Sequence, residues 1–209
     1  MKPWLLAGIL TPLAIAIAVL AVVATNHGPG AQIAAPSSGT SATASAGTAD
    51  PGAAALIDQD GKPFTLADLR GKVVLLYFGY TFCPDVCPTE LQTVSAALDK
   101  LGPDANKIVP LFITIDPERD TVATLADYVK LFDDRLIGLT GTDAQIAAAA
   151  RDYRVYYAKA TPKDSTNYLM DHSSFLYLMG PDGQFRALFR PGTTAAELAD
   201  ALRTRLQAS

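Results

Sequence analysis

The chain has 209 residues, enough for one ordinary domain with appendages, and a formal net charge of −4 at pH 7. That mildly acidic balance provides no electrostatic footprint for nucleic acid, which excludes that class of partner. The 49% hydrophobic content is swollen by alanine and by the N-terminus, so it overstates the core.

Met1 to Ala24 carries one charge, Lys2, ahead of about 20 mostly apolar residues, enough to cross a bilayer as a helix. Pro3 and Pro12 weaken that helix without excluding it. Small residues at Ala21 to Thr25 leave a cleaved signal peptide as the competing reading. The apolar stretch is longer than a usual signal core, which favours an uncleaved transmembrane anchor over residues 1–25. No cysteine lies near its end for a lipoprotein cleavage site, and no Arg-rich amphipathic import signal is present. With Lys2 inside, the positive-inside rule puts the remainder on the periplasmic, extracytoplasmic side of the cell's inner membrane. Residues 26–52 are mostly Gly, Pro, Ser, Thr and Ala; they cannot bury a core and read as a flexible tether. His27 lies in that tether as exposed filler.

The folded domain is expected over residues 53–209. Asp58-Gln59-Asp60-Gly61 is a hairpin turn signal, and Phe64 to Gly71 a short connector. Val73 to Phe78 has no polar face, as in a central strand covered on both sides. A helix bearing Leu91, Val94, Leu98 and Leu101 follows, closed by Gly102. Leu111 to Ile115 is a second buried strand, with Pro110 marking its start. Thr121 to Phe132 reads as a helix and Leu136 to Leu139 as a strand. Thr142 and Gln145 form a capping box for an alanine-rich helix running to about Tyr153. Val155 to Ala158, Phe175 to Met179 and Gln184 to Phe189 read as strands, the last two joined by Pro181-Asp182-Gly183. Thr194 and Glu197 cap a final helix. This alternation, with a closing hairpin and helix, predicts a three-layer α/β domain of thioredoxin type.

The chemistry gathers around Cys83-Pro84-Asp85-Val86-Cys87-Pro88, which holds both cysteines of the chain. Pro88 is tolerated in the first turn of a helix and would break one farther in, so the helix starts near Cys87 and Cys83 lies in the loop before it. Both sulfurs then sit by a helix N-terminus, where free N–H groups and the dipole favour thiolates. A structural disulfide is the plain alternative outside the cytosol, but it would close only a tiny loop and stabilise little. The spacing, one residue wider than C-x-x-C, points more toward holding a soft metal than toward cycling a disulfide.

His172 is the only histidine of the expected domain and precedes a predicted strand, so it is expected in a loop. It faces the thiols only if that strand lies beside Val73 to Phe78, which sequence separation leaves open. Two thiolates and an imidazole make a three-donor set whose softness suits Cu(I), while imidazole also accommodates Cu(II). Structural zinc normally takes four protein ligands, and iron–sulfur clusters are worse supplied still. Copper is the best match. Asp171 is a candidate partner for the histidine, and an exposed loop carboxylate explains it as well.

Three runs resemble the Sco/SenC family: Gly79 to Pro88, Ile113-Thr114-Ile115-Asp116-Pro117-Glu118-Arg119-Asp120-Thr121, and Asp171-His172-Ser173-Ser174-Phe175. The resemblance covers Ala53 to Leu206 with the motifs in order, and the N-terminus and tether also resemble those of bacterial members. It implies a membrane-tethered copper chaperone of thioredoxin fold. Copper would be held by Cys83, Cys87 and His172 and passed to the binuclear copper centre of cytochrome c oxidase. The partners implied are the copper-accepting oxidase subunit and, beside it, another copper chaperone or a thiol reductant. Asp116 and Arg119 either shape the site or belong to a turn that starts the next helix.

Other functions use the same thiols. A thiol–disulfide oxidoreductase keeping the acceptor's cysteines reduced would not need His172. A thiol peroxidase is suggested by Cys87-Pro88-Thr89-Glu90, but Pro84 stands where that family needs threonine. A copper-dependent redox sensor shares every feature of the chaperone.

Overall fold

The computed structural model describes residues 55–163 and 166–207. The expected anchor and tether (1–25 and 26–52) lie outside these residues. Among the described residues no helix is long and apolar enough to cross a membrane.

The fold is built outward from β3 (Val73–Gly79), which is buried along its whole length. A strand without a polar face needs cover on both sides, and register shows how it is obtained. β4 (Ile108–Thr114) pairs with β3 in parallel, matching Leu76 with Leu111 and Gly79 with Thr114. β5 (Ile137–Thr140) continues the parallel set beside β4. On the other side β8 (Leu176–Met179) runs antiparallel to β3, followed by β9 (Phe185–Phe189). The hairpin of β1 (Leu56–Asp58) and β2 (Pro63–Phe64) completes a seven-stranded sheet of order β2-β1-β5-β4-β3-β8-β9. Its turn is held by the Asp58 carboxylate, which accepts from the Asp60 and Lys62 amides.

Tyr77, Phe112 and Gly138 are register neighbours and share one face of this sheet. On that face lie α1 (Val86–Leu101), whose Cys87 sulfur approaches Gly79, and α2 (Val122–Val129), whose Leu125 and Val129 pack on Gly138. The opposite face presents Phe78 and Tyr177, which stack with Tyr153 at the end of α3 (Asp143–Asp152). α4 (Ala195–Gln207) packs along α1. Helices on two faces of a mixed sheet, parallel at its centre and antiparallel toward both edges, make the three-layer, thioredoxin-like α/β fold expected from the sequence.

Local signals were obeyed at the helix ends. Buried Cys87, Leu91, Val94, Leu98 and Leu101 recur at helical spacing, and Gly102, at a φ of 61°, ends α1. The reciprocal Thr142–Gln145 and Thr194–Glu197 bonds are present.

Four expectations need correction. Pro110 lies inside β4, opposite Leu75, instead of at its start. β5 begins only opposite Leu111, so at Pro110 the strand has a neighbour on one side, the edge-like position where a residue lacking an N–H is tolerated. α2 stops at Val129, short of Phe132, in a turn that leaves Leu131 exposed. The strand expected at Val155 is displaced to β6 (Tyr157–Ala160). Arg154 takes a φ of 54°, and the Val155 amide is still tied to Ala150 at the end of α3. Finally, His172 is not in a loop but is the last residue of β7 (Leu169–His172), which pairs with β6 as a separate two-stranded sheet.

Candidate metal centre

β3 and β4 end side by side, and the chain leaving β3 carries both thiols into α1. Gly79 closes β3 because nothing larger fits: a Cβ there would stand 2.8 Å from the Phe112 ring and 3.0 Å from the Cys87 sulfur. That close approach seats the start of α1 on the sheet. Cys83 lies in the preceding turn, its amide donating to the Tyr80 carbonyl at 3.3 Å. The Cys87 amide, one of the free N–H groups of the first helical turn, donates to Cys83 Sγ at 3.4 Å. Both cysteines are free thiols; Cys83 is half-buried and Cys87 fully buried.

The two sulfurs are electrostatically unlike. Cys83 lies far below the ordinary thiol range, first because the Cys87 thiol donates to it, with the His172 ring and then the amides of Asp85 and Cys87 adding to the effect against burial. Cys87 is pushed far up, first by that same hydrogen bond and then by burial. The pair therefore shares one negative charge, carried by the more exposed sulfur.

His172 reaches this pair because β8, which follows it, does lie beside β3, pairing Tyr177 with Leu76. Its Nε2 is 3.6 Å from Cys87 Sγ. Its Nδ1 is 3.3 Å from the Ser173 carbonyl. A carbonyl can only accept, so Nδ1 is the donor in this contact, and Nε2 is the ring nitrogen turned toward the thiols. The ring is held edge-on by Tyr77 and Tyr80, with centroids at 6.2 and 6.0 Å. Asp171 is exposed and, as the adjacent residue of β7, projects to the strand's other face. The group that Nδ1 meets is the Ser173 carbonyl.

Cys87 meets both Cys83 and His172, and the His172 ring also bears on Cys83. Among the described residues no three His, Cys, Asp or Glu side chains stand together at coordinating spacing. The donor chemistry nevertheless fits a soft ion: a thiolate, a thiol and an imidazole nitrogen turned toward them at a partly open helix N-terminus.

Three supporting groups were given no role from the sequence, although Asp120 and Ser173 lie in the runs that resemble the Sco/SenC family. Asp120, fully buried, accepts from the Thr81 amide at 3.0 Å and from the Thr81 and Thr114 hydroxyls at 2.6 Å each. It clamps the start of the thiol loop to the end of β4, across 39 residues of chain. Tyr77 walls the site from beneath, its phenol held protonated by burial and then by the thiol charge. Ser173 orients His172 through its main chain, which no side-chain motif encodes.

Known proteins share this fold. The profile of the SCO1/SenC family matches residues 45–207. The mitochondrial SCO2 homolog of Mus musculus is 44% identical over 155 residues, 73% of this chain. The aligned stretch is 61% of that mouse protein, so this chain spans less than two thirds of its relative. A solved structure of Arabidopsis thaliana ScoI with copper bound superposes with a TM-score of 0.70 at 44% identity, covering 74% of this chain and 96% of that one. Bradyrhizobium japonicum ScoI with copper bound gives a TM-score of 0.66 at 46% identity, covering 72% and 95%. The thiol pair at the head of α1, the thioredoxin-like sheet beneath it and these matches together place the chain in the SCO1/SenC family.

Proposed function

We propose that the chain binds copper through Cys83, Cys87 and His172 and delivers it to the binuclear copper centre of cytochrome c oxidase. The observation that supports this reading is the meeting of a polarised thiol pair with an imidazole whose Nε2 is turned toward it. The similarity to the two ScoI proteins with copper bound agrees with it. Copper here is cargo and not a resident cofactor, and each residue has a separate task. Cys83, already a thiolate and half-exposed, is the first donor met by an incoming ion. Cys87 still holds the pair's proton, so loading a metal on both sulfurs releases it. His172 supplies the harder donor that lets one site serve either copper oxidation state. A site on the rim of the domain exchanges ligands with an acceptor more readily than a closed cage.

In this reading residues 53–209 are the copper-binding domain, 26–52 the tether and 1–25 the membrane anchor. The domain faces the periplasmic side, where the copper-accepting oxidase subunit, a donor chaperone and a thiol reductant are its partners. The protein is a binding and transfer protein, without turnover chemistry of its own. A second reading, a thiol–disulfide oxidoreductase acting on the acceptor's cysteines, is favoured by the unequal thiols, since an exposed thiolate beside a buried thiol suits disulfide attack.

The two separate at His172. In the full chain, reduced and solubilised in mild detergent, copper is titrated against a competing chelator for wild type and His172→Ala. We expect a single copper bound in the wild type and affinity weakened by at least about tenfold in the variant, since losing a donor costs more than losing a supporting partner. Equal retention in both, with ready disulfide formation, assigns the thiols to exchange.

A further inference from the structure

Asp116 to Thr121 joins β4 to α2, and the need to start a helix explains its backbone. The Asp116 carbonyl accepts from the Arg119 and Asp120 amides, and Thr121 Oγ1 caps α2 by accepting from the Thr124 amide at 3.2 Å. The Arg119 side chain pairs with Asp116 of that turn, and its guanidinium extends between the two segments that bring donors to the metal site.

On one side is the thiol loop: the Arg119 guanidinium carbon lies 4.6 Å from the ring centre of Phe82, the residue before Cys83, and 5.8 Å from that of Tyr80. On the other side is the approach to β7. The same carbon lies 3.8 Å from the Tyr168 ring, and Nη1 donates to the Tyr168 carbonyl at 3.0 Å. Tyr168 immediately precedes β7, whose far end is His172. The guanidinium is aimed by Asp116, which is 1% exposed, accepts from Arg119 Nε and also accepts from the Tyr168 hydroxyl at 2.8 Å. Glu118 of the same turn pairs with Lys159 of β6. The β6–β7 sheet forms no ladder with the main sheet, so this turn is one of its principal moorings.

We infer that Arg119 is a positioning residue for the metal site, holding the strand that bears His172 against the loop that bears Cys83. The inference rests on the copper-site reading above. A planar cation stacked between Phe82 and Tyr168, with one N–H on the Tyr168 main chain, couples two chain segments separated by more than eighty residues. Tyr80 passes the constraint on, since its ring lies against both the guanidinium and the His172 imidazole. Arg119 Nη2 is buried with no hydrogen-bond partner, a cost that a clamp serving stability alone would avoid.

Two measurements on the full chain test it, both reduced and in mild detergent. The first needs no metal: nuclear Overhauser contacts of the His172 ring protons with the Tyr77 and Tyr80 rings, in wild type, Arg119→Ala and Arg119→Lys. We expect these contacts to be lost in Arg119→Ala and reduced in Arg119→Lys, which keeps the charge but not the planar fork. The lysine variant decides the matter if the alanine variant does not fold. The second is Cu(I) affinity by chelator competition in the same proteins, in His172→Ala and in the double variant. Arg119→Ala should weaken binding by about 10–100-fold, as loss of an orienting partner does, and should add nothing in the His172→Ala background. Undisturbed His172 contacts with a lowered melting temperature would reduce Arg119 to a structural clamp. An equal loss of affinity with and without His172 would overturn the inference as well. Wild-type affinity in His172→Ala would instead defeat the copper-site reading, leaving the metal-free contacts to decide whether Arg119 positions the ring.

Discussion

The thiols and the histidine reach one site from regions of very different construction. The thiol loop springs from β3, buried from Val73 to Gly79, and is fastened to β4 by the fully buried Asp120. His172 ends a two-stranded sheet of four residues a side, in which Met170 is buried but Asp171 and Lys159 are exposed. Side-chain bonds to the Asp116–Thr121 turn and the burial of Met170, and not a backbone ladder to the main sheet, moor it there. A site assembled this way has a fixed half and an adjustable half. The fixed half sets the charge and spacing of the sulfurs; the adjustable half can bring or withdraw a donor, which suits the proposed holding and surrender of a copper ion.

Leu76→Ala strikes the fixed half where it is fully buried and should produce the largest effect. A loss of about 2–5 kcal/mol in unfolding free energy is expected from urea denaturation. Because the site depends on the sheet beneath it, thiol and hairpin signals should melt together. A hairpin that melted separately at lower urea would sharpen the contrast into two cooperative units. Hydrogen exchange tests the same contrast without mutation. Amides of β6 and β7 should exchange about tenfold or more faster than those of β3, through local opening of the small sheet. Equal protection would erase the distinction between the halves.

A smaller effect is expected at Glu90, one turn beyond Cys87 on α1. Its Oε1 accepts from the Gly192 amide at 3.2 Å, while Oε2 is buried without a partner. Burial raises its pKa against the opposing Gly192 bond. The native state therefore holds the Glu90 proton more tightly than the unfolded chain does. Its contribution is fully present below the ordinary glutamate range and is lost as pH rises through the raised value. Glu90→Gln keeps the acceptor for Gly192 and removes the titration. It should match wild type near pH 4 and exceed it near pH 7 by about 1 kcal/mol, the scale of an unsatisfied buried polar group. Parallel stability curves for the two proteins would show that Glu90 is already solvated or paired.

Much of this architecture was legible residue by residue. The unbroken apolar run of Val73 to Phe78 called for a central strand. Pro88 located the start of α1, Gly102 its end, and two capping boxes the starts of α3 and α4. Each of those signals acts within a few residues, so no tertiary partner is needed to read it. β7 was not legible: Leu169-Met170-Asp171-His172 is short, and its strand character comes from pairing with Tyr157 to Ala160. Pro110 misled because its place in β4 depends on where the neighbouring β5 begins.

The same division runs through the site. Cys83, Cys87 and His172 could be named from residue chemistry and spacing, because softness and the helix N-terminus are properties of the donors and their immediate chain. Their meeting could not, since it depends on β8 choosing β3 as its partner. The Asp120 clamp, the Ser173 carbonyl behind His172 and the stacking of Arg119 between Phe82 and Tyr168 likewise follow from the packed sheet. Local propensities act over a turn or two of chain, whereas the orientation of a donor is set by contacts between segments that only a folded core brings together.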